Sequence, residues 1–156
     1  MLVWAAGTLD LLGEDIGRSL AMLDNALSLN PSNAFGWFWS GFLRLFAGST
    51  ETAIEHFEKS LRLDPRTPLR HFYDTGLGAC YFLQRRFDEA APLLAESLRQ
   101  VPTYVTTAYF LASCYAHMER LDDAREILST ANGPGSPWHR RAAPYGRSRT
   151  QGNRTS

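Results

Sequence analysis

The sequence predicts an all-α fold, a solenoid of about four antiparallel helix pairs. Three observations carry this. Prolines recur at Pro31, Pro65 and Pro102, spaced 34 and then 37 residues apart, and a period near 34 residues is the signature of a repeat array. Inside the best-formed unit, large residues (Trp37, Phe57) alternate with small ones (Gly41, Ala53) at offsets that put them on one stripe of a helix. Two helices pack closely only where one offers a hole and the other a knob. Finally, each proline follows an apolar-periodic segment that it must end, because proline cannot continue a helix and disfavours helical backbone in the residue before it.

The units are about 1–31, 32–65, 66–102 and 103–132, followed by a tail at 133–156. With Pro65 set at position 32, the second unit has Trp37 at 4, Gly41 at 8, Ala53 at 20, Phe57 at 24 and Ser60 at 27; Arg44 stands at 11. Counted back from Pro102, the third unit has Leu77 at 7, Gly78 at 8, Tyr81 at 11, Ala90 at 20, Leu94 at 24 and Ser97 at 27. Position 4 there is Asp74, so the large knob is missing, and Pro92 falls early in the second helix and is expected to kink it. Three extra residues near 66–70 are expected to lengthen the corner or the start of the next helix. The fourth unit places Leu111 at 7, Ala112 at 8, Tyr115 at 11, Ala124 at 20, Leu128 at 24 and Ala131 at 27, and Asn132-Gly133-Pro134-Gly135 ends it. The first unit is the weakest, with Gly7 at 8, Ser19 at 20, Leu23 at 24 and Ala26 at 27.

This spacing resembles the tetratricopeptide repeat, whose pattern is large at 4, small at 8, aromatic at 11, small at 20, aromatic at 24, small at 27 and proline at 32. The phrases Phe87-Asp88-Glu89-Ala90 and Leu121-Asp122-Asp123-Ala124 resemble that family's turn into the second helix. The resemblance covers about 1–132 and implies a right-handed superhelix that binds other proteins. It also implies that Trp37, Gly41, Ala53, Phe57, Pro65, Gly78, Ala90, Ala112 and Ala124 are packing residues.

The family's concave wall comes from positions 2, 5, 9, 12 and 13 of each first helix. Here those positions hold Phe35, Phe38, Phe42, Leu45 and Phe46, then Phe72, Thr75, Ala79, Phe82 and Leu83, then Thr106, Tyr109, Ser113, Ala116 and His117. Trp4, Thr8, Leu11 and Leu12 are their counterparts in the first unit. The expected groove (Phe35, Phe38, Phe42, Leu45, Phe46, Phe72, Phe82 and Tyr109 above all) is aromatic and carries none of the Lys, Arg or Asn that relatives use to clamp a carboxylate tail. An apolar groove suits an amphipathic helix or an apolar extended segment of a partner protein. Self-association is the alternative, since so large an apolar wall is a liability when left bare.

Composition excludes several classes. Sixteen basic and sixteen acidic residues leave a net charge of zero. Five arginines (140, 141, 147, 149, 154) and no acid lie beyond residue 132, so the body carries a net charge of minus five. The Gly-, Pro- and Ser-rich tail reads as disordered and solvated, and nucleic acid is not the expected partner. No apolar run reaches membrane-spanning length, there is no signal peptide pattern, and a cytoplasmic location is the default. Cys80 and Cys114, both at position 10, read as small core residues.

No catalytic constellation emerges. The four histidines (56, 71, 117, 139) show no metal-ligand spacing, and no phosphate loop or nucleophile elbow is present. Gly76-Leu77-Gly78 lies in a helical pattern, where Gly78 serves as a packing hole. His56 is expected to face solvent and His117 the groove, neither with a partner. No cofactor, metal or enzymatic activity is expected.

Residues 28–34, 48–57 and 63–70 also resemble the C-terminal repeat arrays of bacterial class III adenylate cyclases and winged-helix transcriptional regulators. That resemblance implies a regulatory or self-association segment with its groove buried internally. Because Met1 falls inside a repeat and no extra amphipathic helix follows the fourth unit, the chain is expected to be a piece of a longer array or a truncated reading frame.

Overall fold

A computed structural model describes the backbone of residues 2–131 and the side chains of residues 16–131. Seven helices run through it: α1 (Leu2–Leu29), α2 (Ala34–Phe46), α3 (Thr50–Leu63), α4 (Arg70–Leu83), α5 (Phe87–Gln100), α6 (Val105–His117) and α7 (Leu121–Ala131). No strand occurs among the described residues. The expected tail and the side chains of Trp4, Gly7, Thr8, Leu11 and Leu12 lie outside what is described.

α2/α3, α4/α5 and α6/α7 are antiparallel pairs. Residues of the first unit differ from the paired pattern, because Leu2–Leu29 is one continuous 28-residue helix. Its last two turns pack on α2, with Leu27 buried against Gly36. Helices end two residues before each repeat proline: α1 at Leu29, α3 at Leu63 and α5 at Gln100. The insertion at 66–70 is shared between a longer corner and an earlier helix start, since α4 begins at Arg70, one residue ahead of the repeat register. α5 runs as one helix from Phe87 to Gln100 with Pro92 inside it on its exposed side.

The turns within the pairs repeat one geometry. Position 15 has left-handed backbone in all three: Gly48 (φ 80°), Arg85 (φ 61°) and Glu119 (φ 60°). In each, the next residue's N–H reaches back five residues, Ser49 to Arg44 O, Arg86 to Tyr81 O and Arg120 to Tyr115 O, at 2.8–2.9 Å. These bonds satisfy carbonyls that the helix end would otherwise orphan.

Interhelical packing rests on the small residues. A Cβ on Gly41 would stand 2.7 Å from the Phe57 ring, and one on Gly76 would stand 2.6 Å from the same ring. A Cβ on Gly78 would stand 2.6 Å from Leu94. Ala53, Phe57, Ala90 and Leu94 are fully buried, and Ala112 and Ala124 are buried. Trp37 differs from a core knob. It is half-buried, donates Nε1–H to Pro31 O at 2.9 Å, meets His56 edge-on, and carries the Lys59 ammonium 3.6 Å above its ring.

Serine at position 27 has a reason beyond size. Ser60 Oγ donates to Ala34 O at 2.6 Å, and Ser97 Oγ to His71 O at 2.9 Å, so each bonds the carbonyl of position 1 of its own unit. Around them lie buried polar links: Ser60 with Tyr73 Oη at 2.7 Å, and Thr75 with Ser97 and Thr107 at 2.8 and 2.7 Å. Asp74 is also fully buried, taking Arg70 Nε–H at 2.9 Å and Gln100 Nε2–H at 3.3 Å in place of the missing knob.

Replacing Gly41 by Ala is expected to destabilise the fold by about 1–3 kcal/mol, because the ring it meets is held on both sides. Gly17→Ala, with nothing within 4 Å of the added Cβ, is expected to stabilise by up to ~1 kcal/mol. Denaturant titration of the two variants checks both signs. Glu119→Gly relieves left-handed strain and is expected to raise the thermal midpoint, with a gain of about 1 kcal/mol.

Candidate partner-binding groove

The packing of helices fixes which side is hollow. The backbones of neighbouring first helices approach within 8 Å between Cα atoms, α2 with α4 and α4 with α6, whereas those of the second helices α3, α5 and α7 nowhere come so close to one another. The array therefore curves with its first helices on the inside.

Along this inner row the sequence-expected residues divide in two. Phe38 (4% exposed) and Leu45 are buried, while Phe42, Phe72 and Phe82 are half-buried. Phe35 (57%), Phe46 (55%), Leu83 (53%) and Tyr109 (48%) present their side chains to solvent. Phe38 is thus the floor of the wall. It meets Phe42 (5.0 Å between centroids), Tyr73 (4.8 Å) and Phe72 (6.4 Å), tying α2 to α4. Phe72 continues to Tyr104 at 5.4 Å, so rings run unbroken from α2 to the entrance of α6. Phe82 contacts Phe110 at 5.5 Å and links α4 to α6 lower down. Thr75 and Ala79, expected on the wall, are buried.

Trp39 and His117 also depart from the sequence-based expectation. Trp39, at position 6, is exposed and stands edge-on to Phe35 at 5.9 Å. The register does not assign position 6 to the wall, and Gly76 fills it in the next unit. His117 does have partners: its ring stacks on Phe87 at 4.5 Å and 2° and lies 5.9 Å from Phe82.

The wall changes character along its length. Its α2 end is aromatic, and its α6 end carries Thr106, Tyr109, Ser113 and His117. No residue at the fifteen wall positions of α2, α4 and α6 carries Asp, Glu, Lys or Arg. Such a surface can hold an apolar face and orient it through a few hydroxyls, but supplies no fixed charge to pair with an anion.

A second concavity, of about 310 Å³, lies where α1, α2 and α3 meet. Arg44 crosses it to Asp24 with 2.6 and 2.8 Å contacts. Arg44 therefore replaces the usual aromatic with an ion pair to the preceding helix. Tyr81 and Tyr115 at the same position each lie under an arginine, Arg86 at 4.5 Å and Arg120 at 4.3 Å. His56 lines the same concavity, contrary to the solvent-facing expectation. Its Nδ1 is 2.8 Å from Ser40 Oγ, and burial, then Arg44, lower its pKa.

No group of His, Cys, Asp or Glu among the described residues is placed to hold a metal ion. Burial raises the thiol of Cys80 to about 12 and that of Cys114 to about 11, so neither is a thiolate near neutrality. Among the described residues no helix is long and apolar enough to cross a membrane.

Two family profiles, both described as tetratricopeptide repeat, match residues 43–105 and 81–135. No curated protein matches the chain. Among solved structures, a crystal structure of MamA is 21% identical with a TM-score of 0.66, over 75% of this chain and 67% of that one. YrrB, described as a TPR protein with an unusual peptide-binding site, is 21% identical with a TM-score of 0.62, over 83% of this chain and 62% of that one. A thermophilic TPR protein in Thermus thermophilus is 21% identical with a TM-score of 0.64, over 83% of this chain and 70% of that one. The chain spans about two thirds of the length of these structures, and at such identities the likeness is one of fold.

His56 and His71 both have lowered pKa values, burial being the first cause in each. A depressed histidine binds its proton less readily when folded than when unfolded. Their contribution to stability is therefore complete above about 6.5 and is lost as pH falls through the folded values. Urea unfolding from pH 7.5 to 5 is expected to show this loss, and His56→Gln is expected to flatten it. Glu89 and Glu96 titrate below the usual 4.5, Glu96 down to about 2 through Arg99 and Gln100, outside this window.

Proposed function

Residues 43–135 carry tetratricopeptide repeats, and on that premise we propose that the protein is an interaction module that seats an apolar face of a partner protein on its inner wall. The occupant is an amphipathic helix or an apolar extended segment, apolar where it meets α2 and hydrogen-bonding where it meets α6. The carrying observation is the exposure of Phe35, Phe46, Leu83 and Tyr109 on one row of helices with no charged residue among the wall positions. Recognition of this kind draws affinity from side chains entering pockets between helices. Contiguous exposed apolar surface of this sort marks an interaction site.

The same exposure supports a second reading, in which the wall is buried by the protein itself, as a regulatory or self-association segment of a cyclase-like or winged-helix protein. Light scattering separates the two. A dimer that survives dilution favours self-burial, and a monomer favours an exchangeable partner.

Phe46→Asp with Leu83→Asp tests the wall, since both side chains are exposed and the core residues Phe38 and Phe57 stay in place. The double variant is expected to keep its helical circular dichroism and thermal midpoint. It is expected to lose at least tenfold in affinity for apolar amphipathic helical peptides selected against the native chain. Unchanged capture of those peptides would overturn the assignment.

A further inference from the structure

We propose that the concavity between α1, α2 and α3 is a second binding site, separate from the inner wall, and that it takes a small organic acid: one carboxylate on an apolar stem. None of the residues lining it stands at a wall position. Its volume of about 310 Å³ suits a small molecule at the lower end of the usual range for such pockets.

The lining has an apolar side and a cationic side. Leu27, Pro31 and Trp37 supply the first, and Arg44 and Lys59 the second. Asp24 compensates Arg44 only. Both its oxygens fall on the one Nη2, at 2.6 and 2.8 Å, so the side-on fork through Nε is unused. Arg44 Nε–H is buried and finds no acceptor in the protein. A buried charged donor left in this way asks for a reason, and it keeps the local potential positive. Lys59 sits over the Trp37 ring, 3.6 Å from its centroid. It does so although Glu55 precedes it by four residues, the spacing that favours an ion pair. On the same helix Arg62 does take Glu58, at 3.8 Å. His56 adds no charge at neutral pH, because burial and then Arg44 lower its pKa. The lining therefore keeps one uncompensated positive charge, on an array whose body is net acidic. A carboxylate balances that charge, whereas a phosphate group brings nearly two. The ring of Trp37 and the side chain of Leu27 receive the stem.

The repeat itself does not require this set. Positions 11 and 23 are Arg44 and His56 in the second unit, but Tyr81 and Leu93 in the third and Tyr115 and Ile127 in the fourth. In the later units these rings and aliphatic chains pack onto the core clusters. Position 26 is likewise Lys59 once, then Glu96 and Thr130. The basic, aromatic-floored cavity is thus particular to one junction and adds nothing to the period that builds the fold.

Titration of the full ¹⁵N-labelled chain with 4-phenylbutyrate tests this, read at the indole N–H resonances assigned by Trp→Phe substitution. Trp37 Nε1–H, bonded to Pro31 O at 2.9 Å, reports on the cavity, and Trp39 reports on the wall. A saturable shift at Trp37 is expected. Binding is expected to weaken about tenfold or more for 4-phenylbutanamide, which keeps the shape and lacks the charge, and by a similar factor in Lys59→Met, whose stem still covers the ring. No shift at Trp37 up to about 10 mM overturns the proposal. So does an amide that binds as tightly as the acid, a Lys59→Met chain that responds like the native one, or a response confined to Trp39. Tighter binding at Trp37 by the blocked peptide acetyl-Leu-Leu-Glu-Leu-Leu-amide than by 4-phenylbutyrate overturns the small-molecule assignment, because it makes the carboxylate a partner's side chain.

Discussion

One aromatic ring holds the array together. Phe57 sits in α3, with the backbone of Gly41 against it from α2 and Gly76 against it from α4. The first contact closes its own pair and the second fixes the next pair on top. Repeat arrays derive stability from units and from the interfaces between them. Here a single side chain serves both terms, and neither glycine can gain a methyl without moving it. The next interface adds polar links: Leu94 closes its pair on Gly78 and clusters with Leu111 and Cys114 of α6, and the Thr75–Ser97–Thr107 hydroxyls and Phe82 on Phe110 join the same seam.

Most of the fold was legible because each hallmark position admits few residue types. A hole must be Gly or Ala, and Gly41, Gly78, Ala53, Ala90, Ala112 and Ala124 could be counted off one period. What was not legible involves neighbours in another unit. Gly76 looks like a weak helix residue until Phe57 arrives from the preceding pair. Asp74 looks like a missing knob until Arg70 and Gln100 close around it. His56 looks solvent-facing until Ser40 and Trp37 enclose it. The period identifies where a side chain points but not what an adjacent unit brings to it.

The candidate wall shows the same division. Its residues were located by register, and their helices do line the inner side. Register cannot tell floor from surface, however, and Phe38 and Leu45 belong to the floor. Trp39 was missed because position 6 ordinarily faces the preceding second helix, where a small residue such as Gly76 fits. A tryptophan there is too large to disappear, and it emerges beside Phe35.

The contrast between closely approaching first helices and more widely spaced second helices implies an array that bends more readily one way than the other. Tightening the curvature meets resistance, because the inner row is already close-packed and protein interiors compress little. It can relax, because the outer row has room to close. On the proposed role, a partner thicker than the resting groove would be met by flattening, and a thinner one would be left loosely held. If the wall holds a partner as proposed, size selection would act from below, discriminating against occupants too slender to span it more sharply than against those too broad.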